Sequence, residues 1–418
     1  MTTLIKFIIT TILSIFLLTS CTDDDDGTSI LQEPFGITSA DELTAYLKEV
    51  VSQENVPGFA ISILKNDAMV YQEAFGFANI ANQVPYTNQT VNSIASTSKT
   101  FVGAAVAKAI EQGYFTMETD INELLPFTVT NPKQPNAIIK IKHLVTHTSG
   151  LLDIPEVYLA NNYFILPGED SSTKGARILM DNIGMQQRIG YGLSEFLSEY
   201  FTVEGELYSS DNFGNTEPGT TWAYSNLATG LTGLIIESVT GQSFKDYVQE
   251  NILQPLQMTH STYDISQVNT SEMAVRYIDD TTPLPVYGND SYPEGSIYST
   301  NEDMGKYLLD MAKGIKGATS TLFSEAGYMN LFQAKLESGI VPNDFADNHG
   351  IFWYVKDDNI IHGGNSFGIS THMEINGNGN SGYLFLSNID ATFTGNIQHY
   401  NNIISKVDAA INQFLNVD

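Results

Sequence analysis

Cysteine is almost absent from this chain, since Cys21 is the only one among 418 residues. A single thiol excludes an intramolecular disulfide, so no disulfide framework holds the fold together. Basic residues are also scarce, with 19 Lys and Arg against 48 Asp and Glu, which gives a formal net charge of −29. A chain of this charge repels phosphate backbones, which argues against nucleic acid as a partner.

The sequence also has no internal repeat and no low-complexity segment apart from a short aspartate run. What it has is apolar material: 42% of its residues are hydrophobic and 11% are aromatic. This is enough for a large core and argues against global disorder. The length alone allows roughly two to three domains.

The N-terminal apolar run, from Phe7 to Leu18, is too short to span a bilayer comfortably. Lys6 precedes it, and Leu18-Thr19-Ser20-Cys21 closes it. A basic start, a short apolar stretch and small residues before a cleavage point are typical of a secretory signal. The alternative is an N-terminal anchor helix that happens to carry a cysteine.

This segment resembles a bacterial lipoprotein signal with a lipobox. The resemblance implies that residues 1–20 are removed and that the thiol and amine of Cys21 are acylated; several acyl chains anchor a protein stably. We therefore expect an exported lipoprotein, anchored in the periplasm or at the outer membrane or cell surface. Residues 21–37 would form an acidic tether. Its run from Thr22 to Asp26 either resembles the acidic surface-export signals of some Gram-negative lipoproteins or is a solvated spacer.

Periodicity in residues 38–418 predicts an α+β fold. Near the start, a helix begins at about Ser39, and strand-like runs at 59–64 and 69–75 flank a turn at Asn66-Asp67. Further elements are predicted near the other end, as strands at 351–355, 359–362, 369–375 and 382–386 and a final helix at 397–415. We predict an antiparallel sheet built from both chain ends and flanked by helices. A mostly helical insertion spans about 119–301, with its clearest helices at 227–239 and 244–253.

Serine nucleophiles need a base within hydrogen-bond reach and donors for the developing oxyanion. Ser-x-x-Lys at a helix start can provide both, because residues three apart share a helix face and the first backbone N–H groups are free. The spacing occurs in Ser62–Lys65, which is strand-like, and in Ser171–Lys174, which lies in a polar loop. Only Ser96–Lys99 opens an apolar helix, which ends at Gly113. Taken alone, it could be a plain serine cap with an exposed lysine.

Two further motifs follow this one. Tyr224-Ser225-Asn226 stands directly before a predicted helix, and that position distinguishes it from four other Tyr-x-Asn tripeptides. His362-Gly363-Gly364 is the single His-x-Gly, late in the chain. With these three motifs in order, the chain resembles the serine β-lactamase and penicillin-binding-protein family from about Val56 to Leu386. The similarity is greatest to its class C-related branch of D-alanyl-D-alanine carboxypeptidases and esterases. Further similar segments are His147–Leu151 and Gly295–Thr300.

The resemblance implies a β-lactamase/transpeptidase-like fold and a role for each matching residue. Ser96 would be the nucleophile, and Lys99 and Tyr224 would share proton transfer, either one serving as base. Asn226 would orient Lys99 and the substrate amide, and His362 would bridge to Tyr224 or the substrate. The backbone N–H groups of Ser96 and Asn365 would form the oxyanion hole. The glycine pair Gly363-Gly364 would keep that strand edge open for a close backbone approach.

Two other motifs suggest different chemistry. The run Gly364–Gly368 matches the Gly-x-Ser-x-Gly elbow around Ser366, but an elbow needs a following helix, and residues 369–375 alternate like a strand. His143 and His147 have a metal-like spacing, but no glutamate follows the first histidine as in zinc proteases. We therefore expect no metal and no cofactor.

Three functional classes remain open at this point. The first is a hydrolase of D-amino-acid peptides or carboxylic esters. The second is a class C-type β-lactamase, although His362 stands where the best-known class C enzymes have the lysine that binds the β-lactam carboxylate. The third is a non-turnover covalent sensor or surface binding lipoprotein. The acyl group and the oligomeric state are not encoded in these motifs.

Overall fold

The computed structural model describes residues 32–54, 56–389 and 397–417. Cys21, the lipobox-like run and the aspartate run lie outside these residues, so their predictions stay predictions. None of the helices within the described residues is both long and apolar enough to cross a membrane.

Eleven helices are present in the described residues, of which those beginning at Ala40, Ser98, Asn226, Phe244 and Ile397 were predicted from the sequence. In chain order they are α1 (Ala40–Glu54), α2 (Ser98–Glu111), α3 (Ile141–Val145), α4 (Pro155–Asn162), α5 (Lys174–Ile178), α6 (Leu193–Phe201), α7 (Asn226–Thr240), α8 (Phe244–Val248), α9 (Asn301–Ile315), α10 (Glu325–Phe332) and α11 (Ile397–Leu415). The predicted helix at 244–253 changes after Val248 into a π-helical segment, Gln249–Leu253.

The strands include short ones that the sequence did not predict. They are β1 (Gly58–Lys65), β2 (Ala68–Asn79), β3 (Val84–Pro85), β4 (Asn92–Ser93), β5 (Tyr163–Ile165), β6 (Gln186–Gln187), β7 (Tyr287–Asn289), β8 (Tyr298–Ser299), β9 (Asn348–His349), β10 (Tyr354–Lys356), β11 (Asn359–Ser366), β12 (Ile369–Asn376) and β13 (Ser381–Ser387).

Both chain ends build the main sheet, as predicted. Eight strands lie in the order β3-β2-β1-β13-β12-β11-β10-β9, and every neighbouring pair is antiparallel. Strand β1 pairs with β13 over Phe59 to Lys65, which joins the two ends of the chain. The predicted turn at Asn66-Asp67 links β1 to β2, with both residues at positive φ.

Helices cover both faces of this sheet. On one face, α1 and α11 bury a compact cluster against β1, β2 and β13, including Leu47, Phe59 and Ile411. The opposite face packs on a larger core built around α2, α7 and α9, with Phe101 stacked on Tyr307 at a ring-centroid distance of 4.0 Å. Helix α2 therefore lies in the interior, and its first turn is presented to strand β11.

Two expectations about strands are wrong in detail. The strand predicted at 351–355 begins only at Tyr354, because Phe352 has a φ of +53° and its N–H is bonded to Val145 outside the sheet. The middle of the chain is mostly helical, but it also contains a small sheet in which β5 lies between β6 and β7. This small sheet borders the cavity beside Ser96.

Candidate active site

Ser96 lies in a tight turn where the chain passes from β4 into α2. The predicted helix start is two residues early: Ala95–Thr97 form a 3₁₀ turn, and α2 begins at Ser98. Ala95 has a φ of +47°, a backbone conformation that is costly for a residue with a side chain. Ser96 is also the only residue between Val91 and Thr100 that is not buried. The turn thus holds one serine hydroxyl at the surface of a buried helix.

The lysine three residues on reaches this hydroxyl, as the spacing predicted. Lys99 is fully buried, and its Nζ lies 3.1 Å from Ser96 Oγ. Nζ also donates to Asn226 Oδ1 at 2.7 Å. The turn before α2 supplies the nucleophile and α2 supplies the lysine, whereas Asn226 is the first residue of α7. The Ser-x-x-Lys and Tyr-x-Asn motifs therefore meet through Lys99.

A residue that the sequence analysis did not identify completes the surroundings of Lys99. Glu294 is buried, and its carboxylate Oε2 lies 3.3 Å from Lys99 Nζ, while its backbone carbonyl accepts from the same nitrogen at 2.8 Å. The other carboxylate oxygen accepts hydrogen bonds from neutral groups: Tyr158, Asn162, Asn289 and Ser291. Glu294 directly precedes the segment Gly295–Thr300, which resembles the family. A charged residue at that position is the feature of the sequence that could have identified it.

Tyr224, the first residue of the Tyr-x-Asn motif, also contacts the nucleophile. Its hydroxyl donates to Ser96 Oγ at 3.0 Å, and Lys99 Nζ lies 5.1 Å from the centre of its ring. His147 packs against the Tyr224 ring at a centroid distance of 4.6 Å and accepts the Ser225 N–H through Nδ1. His147 thus supports Tyr224 and the start of α7. This is a structural role for one of the two histidines that have the spacing of metal ligands.

Asp153 fixes the start of helix α7. Its carboxylate accepts from the Ser225 hydroxyl at 2.8 Å and from the backbone N–H groups of Asn226 and Leu227 at 2.6 and 3.1 Å. Burial raises the pKa of Asp153 to about 6, and the hydrogen bonds from Asn226, Ser225 and Leu227 oppose this rise. Since Asn226 holds Lys99, Asp153 acts on the site through the helix it caps.

Burial and charge together set the protonation of the two groups that touch Ser96. Burial alone lowers the pKa of Lys99, but Tyr224 and Glu294 outweigh it and the pKa is raised. Burial also raises the pKa of Tyr224, although the neighbouring Lys99 works against this. The resting site therefore holds a lysine ammonium and a neutral phenol, and both donate to the serine oxygen.

Strand β11 passes directly behind the nucleophile turn. A Cβ at Gly364 would lie 2.9 Å from the Ser96 nitrogen and 2.7 Å from the Ile94 carbonyl oxygen, so only glycine fits there. The Thr371 hydroxyl, on β12, bonds both the Ile94 carbonyl and the Thr97 hydroxyl. The predicted close backbone approach at the glycine pair is present.

His362 lies near the site but does not bond Tyr224, which was one of its two expected partners. Its Nδ1 lies 2.7 Å from the Gly363 carbonyl oxygen, its ring packs on Tyr354 at 4.8 Å, and no hydrogen bond joins it to Tyr224. Its Nε2 is buried and has no hydrogen-bond partner. Burial and the charge of Lys99 lower the pKa of His362 well below its ordinary value, so the ring is neutral.

The other serines with suggestive neighbours lie in unsuitable surroundings. Ser62 is buried in β1 and bonds Asn301 at 2.8 Å. Ser171 lies in a turn before α5. Ser366 bonds the Tyr287 hydroxyl at 3.0 Å and is followed by the strand β12, so Gly-x-Ser-x-Gly is a hairpin here and not an elbow. The described residues hold no cluster of three or more His, Cys, Asp or Glu side chains that could bind a metal.

Comparison with known proteins agrees with this architecture. The sequence profile of the Beta-lactamase family matches residues 43–403. Protein flp of Staphylococcus aureus (strain MRSA252) is 24% identical over 392 residues, covering 90% of this chain and 70% of that protein. A beta-lactamase of Escherichia coli (strain K12) is 24% identical over 273 residues, or 65% of this chain and 61% of the enzyme.

Solved structures show the same fold. The octameric penicillin-binding protein homologue from Pyrococcus abyssi superposes with a TM-score of 0.65 at 21% identity, covering 87% of this chain and 76% of that one. A penicillin-binding protein from Bacillus halodurans gives a TM-score of 0.60 at 23% identity, with 88% and 98% coverage. The predicted β-lactamase/transpeptidase-like fold is therefore confirmed, and the chain belongs to the beta-lactamase family as a serine hydrolase.

Proposed function

We propose that the chain forms an acyl-enzyme through Ser96 and hydrolyses D-amino-acid peptides, in the manner of a D-alanyl-D-alanine carboxypeptidase, or carboxylic esters. The observation that carries the proposal is the pair of hydrogen bonds to Ser96 Oγ, 3.1 Å from Lys99 and 3.0 Å from Tyr224. A nucleophile and its proton acceptors at these distances are the core of acyl-transfer catalysis.

In the proposed reaction, Ser96 Oγ attacks the substrate carbonyl while its proton passes to Lys99 or Tyr224. A lysine ammonium cannot accept a proton, so Lys99 must first give one up, and Glu294 at 3.3 Å is the adjacent acceptor. Tyr224 likewise accepts only as a phenolate, which forms when its proton passes to Lys99 after Lys99 has given one to Glu294. The group that received the serine proton then returns one to the leaving amine or alcohol. Water hydrolyses the ester on Ser96 by the same steps in reverse order.

The developing oxyanion needs donors that are already in place. We assign this role to the backbone N–H groups of Ser96 and Asn365. Gly364 supports the assignment, because a side chain there would collide with the Ser96 nitrogen and separate the strand from the turn. Ser96 and Asn365 also line the same cavity.

His362 argues against β-lactams and favours esters with a neutral leaving group as substrates. A neutral, buried imidazole offers no fixed positive charge to the carboxylate of a β-lactam, and Nε2 instead offers a neutral hydrogen-bonding group. A class C-type β-lactamase is therefore the second candidate. A covalent sensor that does not turn over is the third. It would use the same proton-transfer groups at Ser96 to form its adduct, so the complete set argues only against an inert scaffold.

Labelling with a fluorophosphonate probe tests the nucleophile. Wild-type protein should be modified on Ser96, and Ser96→Ala should abolish labelling and lower turnover by several orders of magnitude, since a covalent nucleophile is lost. Lys99→Ala and Tyr224→Phe should also be costly, but less than additively with Ser96→Ala. Ser171→Ala and Ser366→Ala should still be labelled. Peptide mapping that places the probe on Ser171 or Ser366 would overturn the mechanism.

A substrate panel separates the three candidates. Purified protein is given a chromogenic ester, a D-alanyl-D-alanine peptide and a chromogenic β-lactam. Turnover of the ester or peptide above that of the β-lactam supports the proposal. Turnover restricted to the β-lactam establishes the second candidate. A stable adduct on Ser96 without turnover of any of them establishes a sensor.

A further inference from the structure

Arg276 is a buried cation without an acidic partner, and it lines the same cavity as Ser96. Its side chain is 5% exposed. The guanidinium donates to the Tyr298 hydroxyl at 2.7 Å, and its carbon lies 4.4 Å from the ring centre of Tyr287 and 5.3 Å from that of Tyr298. Among the described residues, no carboxylate forms an ion pair with it.

An arginine in this setting remains charged, because a guanidinium does not lose its proton in proteins. Two aromatic rings offset only part of the cost of burying that charge, which is large for an ion without an acidic partner. Acidic side chains are abundant in this chain, with 48 Asp and Glu, yet none of those that the structure describes pairs with Arg276. The carboxylate that shares the cavity, Glu294, is already engaged by Lys99 and by neutral donors.

The residues that line the cavity show where Arg276 lies relative to the substrate carbonyl that Ser96 attacks. It is lined by Ser96 and Asn365, the two residues assigned to the oxyanion, and by Ser366, the last residue of β11. His362 lies four residues earlier on the same strand, roughly 13 Å away in an extended chain. The leaving group and the acyl portion lie on opposite sides of the carbonyl. If the leaving group extends toward His362, the acyl portion therefore extends toward Arg276.

We propose that Arg276 binds a carboxylate on the acyl portion of the substrate, so that the acyl donors are anionic. The cavity has about 20 Å³ of free space, enough for about one water-sized group and too small for a ring. A single carboxylate oxygen fills a space of that size. A guanidinium fork receives a carboxylate with two parallel hydrogen bonds. The inference rests on the proposed function and narrows its substrate class.

Two ester donors that differ only in charge test this. The p-nitrophenyl half-ester of adipic acid carries a free carboxylate, and its methyl ester is the neutral counterpart. Both are compared at fixed ionic strength, with spontaneous hydrolysis subtracted. Wild-type protein should prefer the anionic donor in kcat/KM by about tenfold or more, since hydrogen bonds to charged groups contribute about 1.5–3 kcal/mol. This preference is opposite to the repulsion expected from the net charge of −29.

Variants assign the preference to Arg276. The ratio of the two kcat/KM values should fall to about one in Arg276→Met and be intermediate in Arg276→Lys, which keeps a charge but loses the fork. Arg188→Met is the matched control. Arg188 is also largely buried and packed on aromatic rings, but it is paired with Asp290, and its variant should keep the wild-type ratio.

The outcomes separate this inference from the proposed function. A wild-type ratio near one, or an unchanged ratio in Arg276→Met, overturns the carboxylate site while leaving acyl transfer through Ser96 intact. If neither donor is turned over, the hydrolase proposal fails, and competition with fluorophosphonate labelling of Ser96 decides the inference. Adipate should then slow labelling of wild-type protein and not of Arg276→Met. Equal slowing of both, or no slowing of either, contradicts the site.

Discussion

Lys99 shows how one side chain can depend on two distant parts of the chain. Its carboxylate partner is Glu294 and its amide partner is Asn226, which are 195 and 127 residues away in sequence. A buried ammonium with one carboxylate and three other acceptors is fully compensated. The protonation of Lys99 is therefore set by its burial, by Tyr224 and by Glu294 together.

Replacing Glu294 by glutamine should shift the pH dependence of acylation. Burial lowers the pKa of Lys99, and Tyr224 and the Glu294 carboxylate raise it, so loss of the carboxylate lowers that pKa. Neutral lysine then becomes available at lower pH. If Lys99 is the base, the rising acid limb of kcat/KM for a chromogenic ester should move to lower pH. Stopped-flow acylation between pH 5 and 10 measures it.

Glu237→Gln is the control for this experiment. Glu237 accepts hydrogen bonds from Phe244 and Tyr292 but does not contact Lys99. Its variant loses a comparable carboxylate and should keep the wild-type acid limb. An acid limb that stays in place in Glu294→Gln would show that Lys99 does not control acylation and would leave Tyr224 as the base.

The active site is built where two secondary-structure elements meet. Ser96 is on the turn before α2, and Gly364 on β11 lies against that turn. The three motifs predicted which residues come together, because each one places its reactive side chains within a few residues of each other in the sequence. They did not predict Glu294, Asp153 or Arg276, since each acts through contacts with residues far away in sequence. The 3₁₀ turn before α2 was also missed, because the strain at Ala95 is imposed by tertiary packing.

Gly364→Ala should separate the strand from the turn. The added Cβ would meet Ser96 N, the Ile94 carbonyl and the Thr371 hydroxyl at 2.9, 2.7 and 2.5 Å, so the backbone must move. Overpacking of this kind costs about 1–3 kcal/mol of unfolding free energy. A shift of about 1 Å at the nucleophile costs on the order of 100-fold in rate. Urea unfolding and ester turnover measure the two effects.

Gly363→Ala is the matched neighbour for stability. A Cβ there would approach nothing closer than the Thr371 carbonyl oxygen at 3.6 Å, an ordinary van der Waals distance. Its unfolding free energy should stay within about 0.5 kcal/mol of wild type. Equal destabilisation by the two alanines would mean that close approach to Ser96 is not what requires glycine at 364.

At the scale of the whole molecule, the sequence predicted the sheet from both chain ends but not its full extent. Short strands with turn residues between them carry a clear signal, and β1, β2 and β11 to β13 were anticipated. Strands of two or three residues, such as β9 and β6, have no periodicity to detect. Their pairing depends on neighbours that the folded chain brings to them.

The attachment of the molecule to a membrane is the remaining prediction at this scale. Several acyl chains on Cys21 would anchor the protein stably, and the acidic segment after it would separate the catalytic domain from the lipid surface. Cys21→Ala should release the protein into the soluble fraction, and mass spectrometry of the wild-type N-terminus should find acylated Cys21. Replacing Asp23–Asp26 by asparagine is the control, since it keeps the lipid and should stay membrane-bound. If this asparagine variant stays membrane-bound but its accessibility to external protease changes, the aspartate run is an export signal and not a spacer. A Cys21→Ala protein that fractionates like wild type would show that the N-terminal segment is an uncleaved anchor helix.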